Sequence, residues 1–212
     1  MGCTSGGAVK REPGGGRIST TDILSERDMI VERQKNPMVD QVLTVARDLH
    51  SQFGLNGQIS EFLISELKPT AMALAYYDPM SDSIGVNEKY FVEKEMDKAY
   101  EDCVKSGFHP SNGNKTAMQA VAAHEFGHAL TMKAGKKLGL NNIDHISDKI
   151  IHEARKKQGK HKGVVQMSSQ ISQYATASNA EAIAEAVSDH YCNGNKAKAE
   201  SKAIVSVLTS YL

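Results

Sequence analysis

Apolar residues recur at helical spacing along most of the chain. After Pro37 they fall on one face of a helix, and the pattern stops at Gly54. Similar spacing, together with capping residues, occurs in five further stretches and at the C-terminal end. Helices are therefore predicted over residues 22–35, 38–53, 88–106, 116–137, 143–158, 179–191 and 203–212.

A short segment between these helices has the composition of a hairpin. Residues 71–77 (AMALAYY) and 83–87 (SIGVN) favour strands, and DPMSD between them favours a turn. Residues 59–67 fit either a helix or a strand. The predicted fold class is therefore α+β, a mostly helical domain with a small β-sheet over residues 21–212. A Gly/Ser-rich tail that we predict to be flexible precedes it over residues 1–20.

The composition argues against several classes of function. With 25 basic and 25 acidic residues the formal net charge is zero, which does not suit a polycation that binds nucleic acid. No apolar run approaches the roughly 18 residues of a membrane span, and the first residues lack the apolar core of a secretory signal. The cysteines are few and scattered, which fits a reducing compartment. We therefore expect a cytoplasmic protein with no nucleic-acid or membrane partner.

The most informative motif is HEFGH, at residues 124–128 of a predicted helix. His124 and His128 are four residues apart, so a helix places both imidazoles on one face, where they can bind one metal ion. This is the HExxH arrangement of zinc sites. Glu125 would not bind zinc but would act as general base on the water that zinc activates. The alternative is an ordinary buried helix that contains two histidines.

A catalytic zinc needs a third protein ligand and one open position. The metzincin pattern is not followed, because Ala134 stands where its third histidine would be, so the third ligand must lie further along the chain. Glu181, Glu185 and Asp189 step by four along a later predicted helix, and their like charges repel unless a cation lies opposite. Alternatively, Ser178 and Glu181 form a capping box and the acidic stripe faces solvent.

HEFGH and the later segment SQYATASNAEAIAEAVSD together resemble the gluzincin zinc metallopeptidases. The resemblance covers residues 70–212 and is closest to the group of the anthrax lethal factor catalytic domain and the Pro-Pro endopeptidases. A tyrosine stands seven residues before the third zinc ligand in that group, as Tyr174 stands before Glu181 here. Asn179 is displaced by one position from the usual asparagine of the pattern.

The resemblance implies one zinc ion per chain, bound by three ligands: His124, His128 and Glu181. It also implies Glu125 as general base and Tyr174 as hydrogen-bond donor to the oxyanion. Glu185 would orient a ligand from behind the site. The implied fold is zincin-like, and its edge strand, here expected to be Ser83–Asn87, would pair with the main chain of a substrate. The expected function is a zinc-dependent metalloendopeptidase that acts on a peptide or protein.

With its compact zincin-like domain and Gly/Ser-rich start, this chain also resembles proteins encoded in phage and prophage structural regions. That resemblance would imply a virion-associated location. Three alternatives to the peptidase stay open. The chain could be a catalytically silent zincin-like structural or assembly protein, such as a phage virion component. It could be a peptide-binding module that uses the edge strand, or a helical structural protein with a chance motif. The sequence does not indicate an oligomeric state.

Overall fold

The computed structural model describes residues 17–18, 37–55, 61–65, 73–80, 82–159 and 163–212. The α-helices in these residues are α1 (Pro37–Gln52), α2 (Glu93–Lys105), α3 (Ala117–Lys137), α4 (Ile143–Lys157), α5 (Val164–Ser168), α6 (Asn179–Asn193) and α7 (Ala199–Tyr211). The strands are β1 (Arg17–Ile18), β2 (Glu61–Ser65), β3 (Ala75–Asp78) and β4 (Ser83–Asn87). The fold is therefore α+β and mostly helical, as the sequence predicts. None of the helices described combines the length and the apolar character that crossing a bilayer requires.

The predicted helices that fall in the described residues are all present. The helix predicted from residue 88 begins later, at Glu93, because a 3₁₀ turn and the extended Val92 precede it. The short helix α5 has no counterpart in the prediction. The helix predicted over residues 22–35 lies outside the described residues, as does the predicted tail apart from residues 17–18, which form β1.

The sheet has the strand order β1–β2–β4–β3 among the described residues. β3 and β4 form the predicted antiparallel hairpin, and β2 runs parallel to β4. The segment 59–67, which fits helix or strand by sequence, contains β2. The prediction that Ser83–Asn87 is the edge strand is wrong, because β2 adds to the far side of β4 and encloses it. Within the part of the chain that the structure describes, the edge strand of the hairpin is β3.

The helix α3, which carries HEFGH, runs through the core with most of its side chains buried. A capping box fixes its start: Thr116 Oγ1 accepts a hydrogen bond from the Gln119 N–H, and Gln119 Oε1 accepts one from the Thr116 N–H. The helix packs against α6 on one side and against β3 on another. The two segments that carry the predicted ligands are therefore direct neighbours.

Gly127 makes the close approach of α3 and α6 possible. A Cβ atom at this position would lie 2.8 Å from Ala184 Cα and 3.2 Å from Val187 Cβ. A glycine within a helix costs about 1 kcal/mol relative to alanine, so it needs a reason, and packing supplies one here. The glycine of the motif thus brings the helix with the histidines against the helix with the glutamates.

Candidate metal centre

His124, His128 and Glu181 converge where α3 and α6 meet. The Nε2 atoms of His124 and His128 lie 3.1 and 3.3 Å from Oε2 of Glu181. One potential ligand atom from each residue lies within 4.8 Å of the other two. The histidines come from successive turns of α3, and Glu181 comes from the first turn of α6. This group could hold a metal ion, and it consists of the three ligands that the sequence predicts.

Glu185 lies directly behind His124. Its Oε1 atom accepts a hydrogen bond from His124 Nδ1 at 2.7 Å and one from His109 Nδ1 at 2.9 Å. Its Oε2 atom accepts a hydrogen bond from Ser172 Oγ at 2.6 Å. The carboxylate is 1% exposed, so these donors compensate its loss of water. Glu185 is therefore placed to fix the orientation of the His124 ring, as the resemblance implies.

The hydrogen bond between His124 Nδ1 and Glu185 determines the protonation of the other ring nitrogen, Nε2, which faces Glu181. A carboxylate only accepts hydrogen bonds, so Nδ1 carries the proton and Nε2 of the neutral ring has a lone pair. The Nε2 atom is buried, has no hydrogen-bond partner of acceptable geometry among the described residues, and faces Glu181 Oε2 at 3.1 Å. Two acceptors at this distance repel each other unless a cation lies between them. That cation is either a proton or a metal ion.

The neighbouring groups shift one another's pKa values. Burial alone would lower the pKa of His124, but the Glu181 and Glu185 carboxylates raise it well above its ordinary value. Burial would raise the pKa of Glu181, but the two imidazoles hold it well below its usual range. Burial would also raise the pKa of Glu185, but His109 and His124 outweigh this effect and lower it to about 2. Both carboxylates are therefore anionic at neutral pH, which favours a bound cation.

Glu125 lies beside this group on α3 but is not part of it. Its side chain is buried, and its Oε2 atom has no hydrogen-bond partner in the described part of the chain. Burial raises its pKa, against the opposing effect of His124 and His128. A carboxylate with an available oxygen and a raised pKa is suited to accepting and releasing a proton.

Tyr174 is held in a 3₁₀ turn, Tyr174–Thr176, shortly before α6. Its ring centre is 5.9 Å from that of His124. Burial and the nearby Glu181 carboxylate, to which the phenol donates a hydrogen bond, raise its pKa. The predicted oxyanion donor is thus close to the candidate ligands and protonated at neutral pH, and its hydrogen is directed to Glu181.

The remaining residues of the predicted acidic stripe and cap have structural roles. Asp189 accepts hydrogen bonds from Asn193 Nδ2 and from the Lys198 backbone N–H, both at 2.9 Å. Ser178 caps α6, because its Oγ accepts a hydrogen bond from the Glu181 N–H at 3.1 Å. The Glu181 carboxylate nevertheless lies against the two histidines. Glu181 therefore takes part in the cap through its backbone N–H and in the candidate metal group through its carboxylate.

Three residues around the site are not identified by the sequence. His109 comes from the loop after α2 and reaches Glu185, and Ser172 reaches the same carboxylate from before the 3₁₀ turn. The ring of Tyr77, on β3, stacks on His128 with the centres 6.3 Å apart. Each arrives from a different element, so no spacing along the chain reveals them. The one sequence feature that could have indicated any of the three is the presence of a histidine, His109, in the loop that leads to α3.

Comparisons of this chain with protein-family models, with curated proteins and with solved structures find no match. The resemblance to gluzincins therefore stays a prediction from two sequence motifs.

Proposed function

We propose that this protein is a zinc-dependent endopeptidase of the gluzincin type. The observation that supports the proposal best is the convergence of two imidazole nitrogens and one carboxylate oxygen beside the buried Glu125. Structural zinc sites are usually closed by four protein ligands, whereas catalytic sites have three and keep one position open. Three ligands with an adjacent general base favour a catalytic role.

The donor set favours zinc among the common divalent ions. Imidazole nitrogen with carboxylate oxygen suits zinc, whereas calcium and magnesium prefer oxygen donors alone. A carboxylate behind a metal-bound histidine is the usual support for such a ligand, and Glu185 occupies that position behind His124. His124, His128 and Glu181 would together hold one ion per chain.

When bound, zinc would polarise the carbonyl of a peptide bond and lower the pKa of a water molecule to about 7. Glu125 would take the proton of that water, and its raised pKa would let it hold the proton and then pass it to the leaving amine. Tyr174 would release Glu181 and donate its hydrogen bond to the carbonyl oxygen as that oxygen gains charge. Glu185 would keep His124 in the tautomer that binds the metal.

A peptide substrate would pair with the edge strand β3. The Asn87 N–H donates to the Leu74 carbonyl at 3.0 Å, and hydrogen-bonded pairs alternate along an antiparallel ladder. In this register the backbone groups of Ala75 and Tyr77 are therefore directed away from β4. The side chains of these two residues lie on the face towards α3, where Tyr77 stacks on His128. An extended peptide paired to β3 would thus run past the metal ligands.

Zinc content and cleavage test the two halves of the proposal. Wild type purified without added metal is expected to contain about one zinc per chain, and Glu181→Ala markedly less. The zinc-loaded wild type is expected to cleave members of a peptide library, whereas Glu125→Gln binds zinc and cleaves none. No zinc in wild type, after zinc is offered and the excess removed, would contradict the proposal. Zinc binding without cleavage would favour the silent zincin.

The place of β3 at the edge of the sheet, among the residues that the structure describes, also favours a second candidate, a peptide-binding module without chemistry. Such a module would keep its peptide affinity after zinc is removed with a chelator. The peptidase is expected to lose most of its productive binding on the same treatment, because the substrate carbonyl then has no electrophile to contact. Peptide affinity measured with and without zinc distinguishes the two.

A further inference from the structure

A small cavity lies beside the proposed catalytic residues, and we propose that it selects a small side chain, alanine above all, next to the bond that is cut. The cavity has a volume of about 20 Å³. His124 and Glu125 line it from α3, and Ala75 lines it from β3. The inference rests on the proposed function and specifies its substrate class.

The cavity is in the right place to receive part of a substrate. Ala75 contributes its side chain to the lining, and its backbone N–H and C=O are directed towards the position of the paired peptide. Glu125, the proposed general base, borders the same space. A residue that paired with β3 near Ala75 would therefore have its side chain beside the cavity while its peptide bond lies close to Glu125.

The size of the cavity limits what can enter. A space of 20 Å³ holds about one water-sized group, so it admits a methyl group but not a branched side chain. Three of its lining residues are fixed by two hydrogen bonds: Tyr100 donates to the Pro110 carbonyl at 3.1 Å, and Ser188 donates to the Ala120 carbonyl at 2.9 Å. Val121 completes this side. A larger side chain would have to displace packed atoms, which is costly.

The lining offers a trapped water molecule acceptors, but the hydroxyl hydrogens of Tyr100 and Ser188 are already used. A buried water needs two to four polar partners. The hydroxyls of Tyr100 and Ser188 already donate to backbone carbonyls, and both oxygens of Glu185 already accept hydrogen bonds. Among the side chains that line the cavity, Glu125 Oε2 and His124 Nε2 are without a hydrogen-bond partner in the described residues, and the mechanism assigns them to the attacking water and to the metal ion.

The test measures binding and cleavage separately. Peptide hydroxamates bind zinc through the hydroxamate, so a series whose adjoining side chain is hydrogen, methyl, isopropyl or isobutyl probes the cavity without turnover. On the zinc-loaded full-length protein, calorimetry is expected to show the methyl compound binding roughly tenfold more strongly than the isobutyl compound. Peptides with alanine next to the cut bond are expected to be cleaved in preference to those with leucine.

A matched pair of variants tests whether this cavity is the cause. Val121→Ala removes two methyl groups from the lining and is expected to shift the preference towards the isopropyl and isobutyl compounds. Val205→Ala makes the same change at a buried position of α7 that does not line the cavity, and it should leave the order unchanged.

Affinity that stays level or rises with side-chain size, or that does not respond to Val121→Ala, would overturn the inference. Cleavage without size preference would also overturn it while leaving the peptidase function in place. Size-selective hydroxamate binding with no cleavage of any peptide would support the cavity as a binding site and contradict the peptidase.

Discussion

His109 Nδ1 lies 2.9 Å from Oε1 of Glu185, the oxygen that also accepts a hydrogen bond from His124. Glu185 is buried, and a buried carboxylate depends on its donors because burial disfavours its charge. One oxygen of Glu185 thus connects a loop histidine to a candidate metal ligand. His109 therefore helps to keep Glu185 charged and directed at His124, without itself belonging to the group that could hold a metal.

We expect His109→Ala to weaken zinc binding by about 10- to 100-fold, the usual effect of removing support from behind a metal ligand. His109→Asn should recover much of the loss, since its side-chain N–H can replace the Nδ1 donor. Competition with a coloured chelator measures both affinities. His145→Ala, at an exposed position of α4, should have no effect. Equal zinc affinity in wild type and His109→Ala would show that Glu185 does not need this donor.

Glu181 and Ser178 offer a test that separates a metal ligand from a helix cap. Ser178→Ala removes the acceptor of the Glu181 N–H and is expected to cost about 1 kcal/mol of unfolding free energy, with zinc affinity nearly unchanged. Glu181→Ala keeps the cap and should abolish stoichiometric zinc binding. Urea unfolding of the metal-free proteins and zinc content give the two readouts. If both variants lost stability and neither lost zinc, Glu181 would be part of the cap alone.

The parts of this molecule that follow from local geometry are predictable from sequence. Helical spacing fixes which residues share a face, so the convergence of His124 and His128 follows from HEFGH alone. Glu181 follows from the four-residue steps of its helix and from the resemblance. The first prediction depends on distances within a single helix, which the chain sets without tertiary structure. That Glu181 meets the histidines depends on the packing of α6 against α3, which the resemblance implies and the spacing does not.

The parts that depend on tertiary pairing are not predictable in this way. The hairpin turn specifies that β3 and β4 pair, but not that β2 adds to β4 and leaves β3 at the edge. His109 reaches Glu185 across 76 residues of sequence from an irregular loop, so no period relates them. Gly127 shows an intermediate case: its cost within a helix signals a packing reason, and only the structure identifies Ala184 as the neighbour.

The metal-free protein is expected to become less stable as the pH rises above about 6.5. The pKa of His124 is raised well above its ordinary 6.5 in the folded state. The stabilisation that protonated His124 contributes is therefore complete below pH 6.5 and is lost as the pH rises towards the folded-state pKa of this residue. Glu181 and Glu185, whose pKa values are lowered, contribute a constant amount in this range. Thermal unfolding of chelator-treated protein between about pH 6 and 9 measures the trend.

Zinc should reverse this dependence, because it takes the place of the proton between His124 and Glu181. Metal binding releases that proton, so zinc affinity is expected to rise with pH over the same range. His124→Asn, which has no titrating ring, should lack the pH slope of the metal-free protein. A wild-type unfolding temperature that stays level or rises between about pH 6.5 and 9 without metal would contradict the raised pKa of His124.

Gly127→Ala is expected to destabilise the protein although alanine is the better helix former. The gain in helix propensity is about 1 kcal/mol. The new methyl carbon would lie 2.8 Å from Ala184 Cα, a backbone atom that cannot rotate away, so α3 and α6 must separate. Such overpacking costs typically about 1–3 kcal/mol. Separation also moves Glu181 away from the histidines, so zinc affinity should fall together with stability in urea unfolding and zinc titration.

Gly159→Ala is the control for this last prediction. Gly159 has a φ of +60° and nothing within 4 Å of an added Cβ, so alanine there is strained through its backbone alone. It is expected to lose about 1 kcal/mol or more of stability and to keep the zinc affinity of wild type. Because both variants add one methyl group, a loss of zinc affinity confined to Gly127→Ala would tie the site to the contact between α3 and α6. If Gly127→Ala were instead as stable as wild type with unchanged zinc affinity, this contact would not be what requires a glycine in HEFGH.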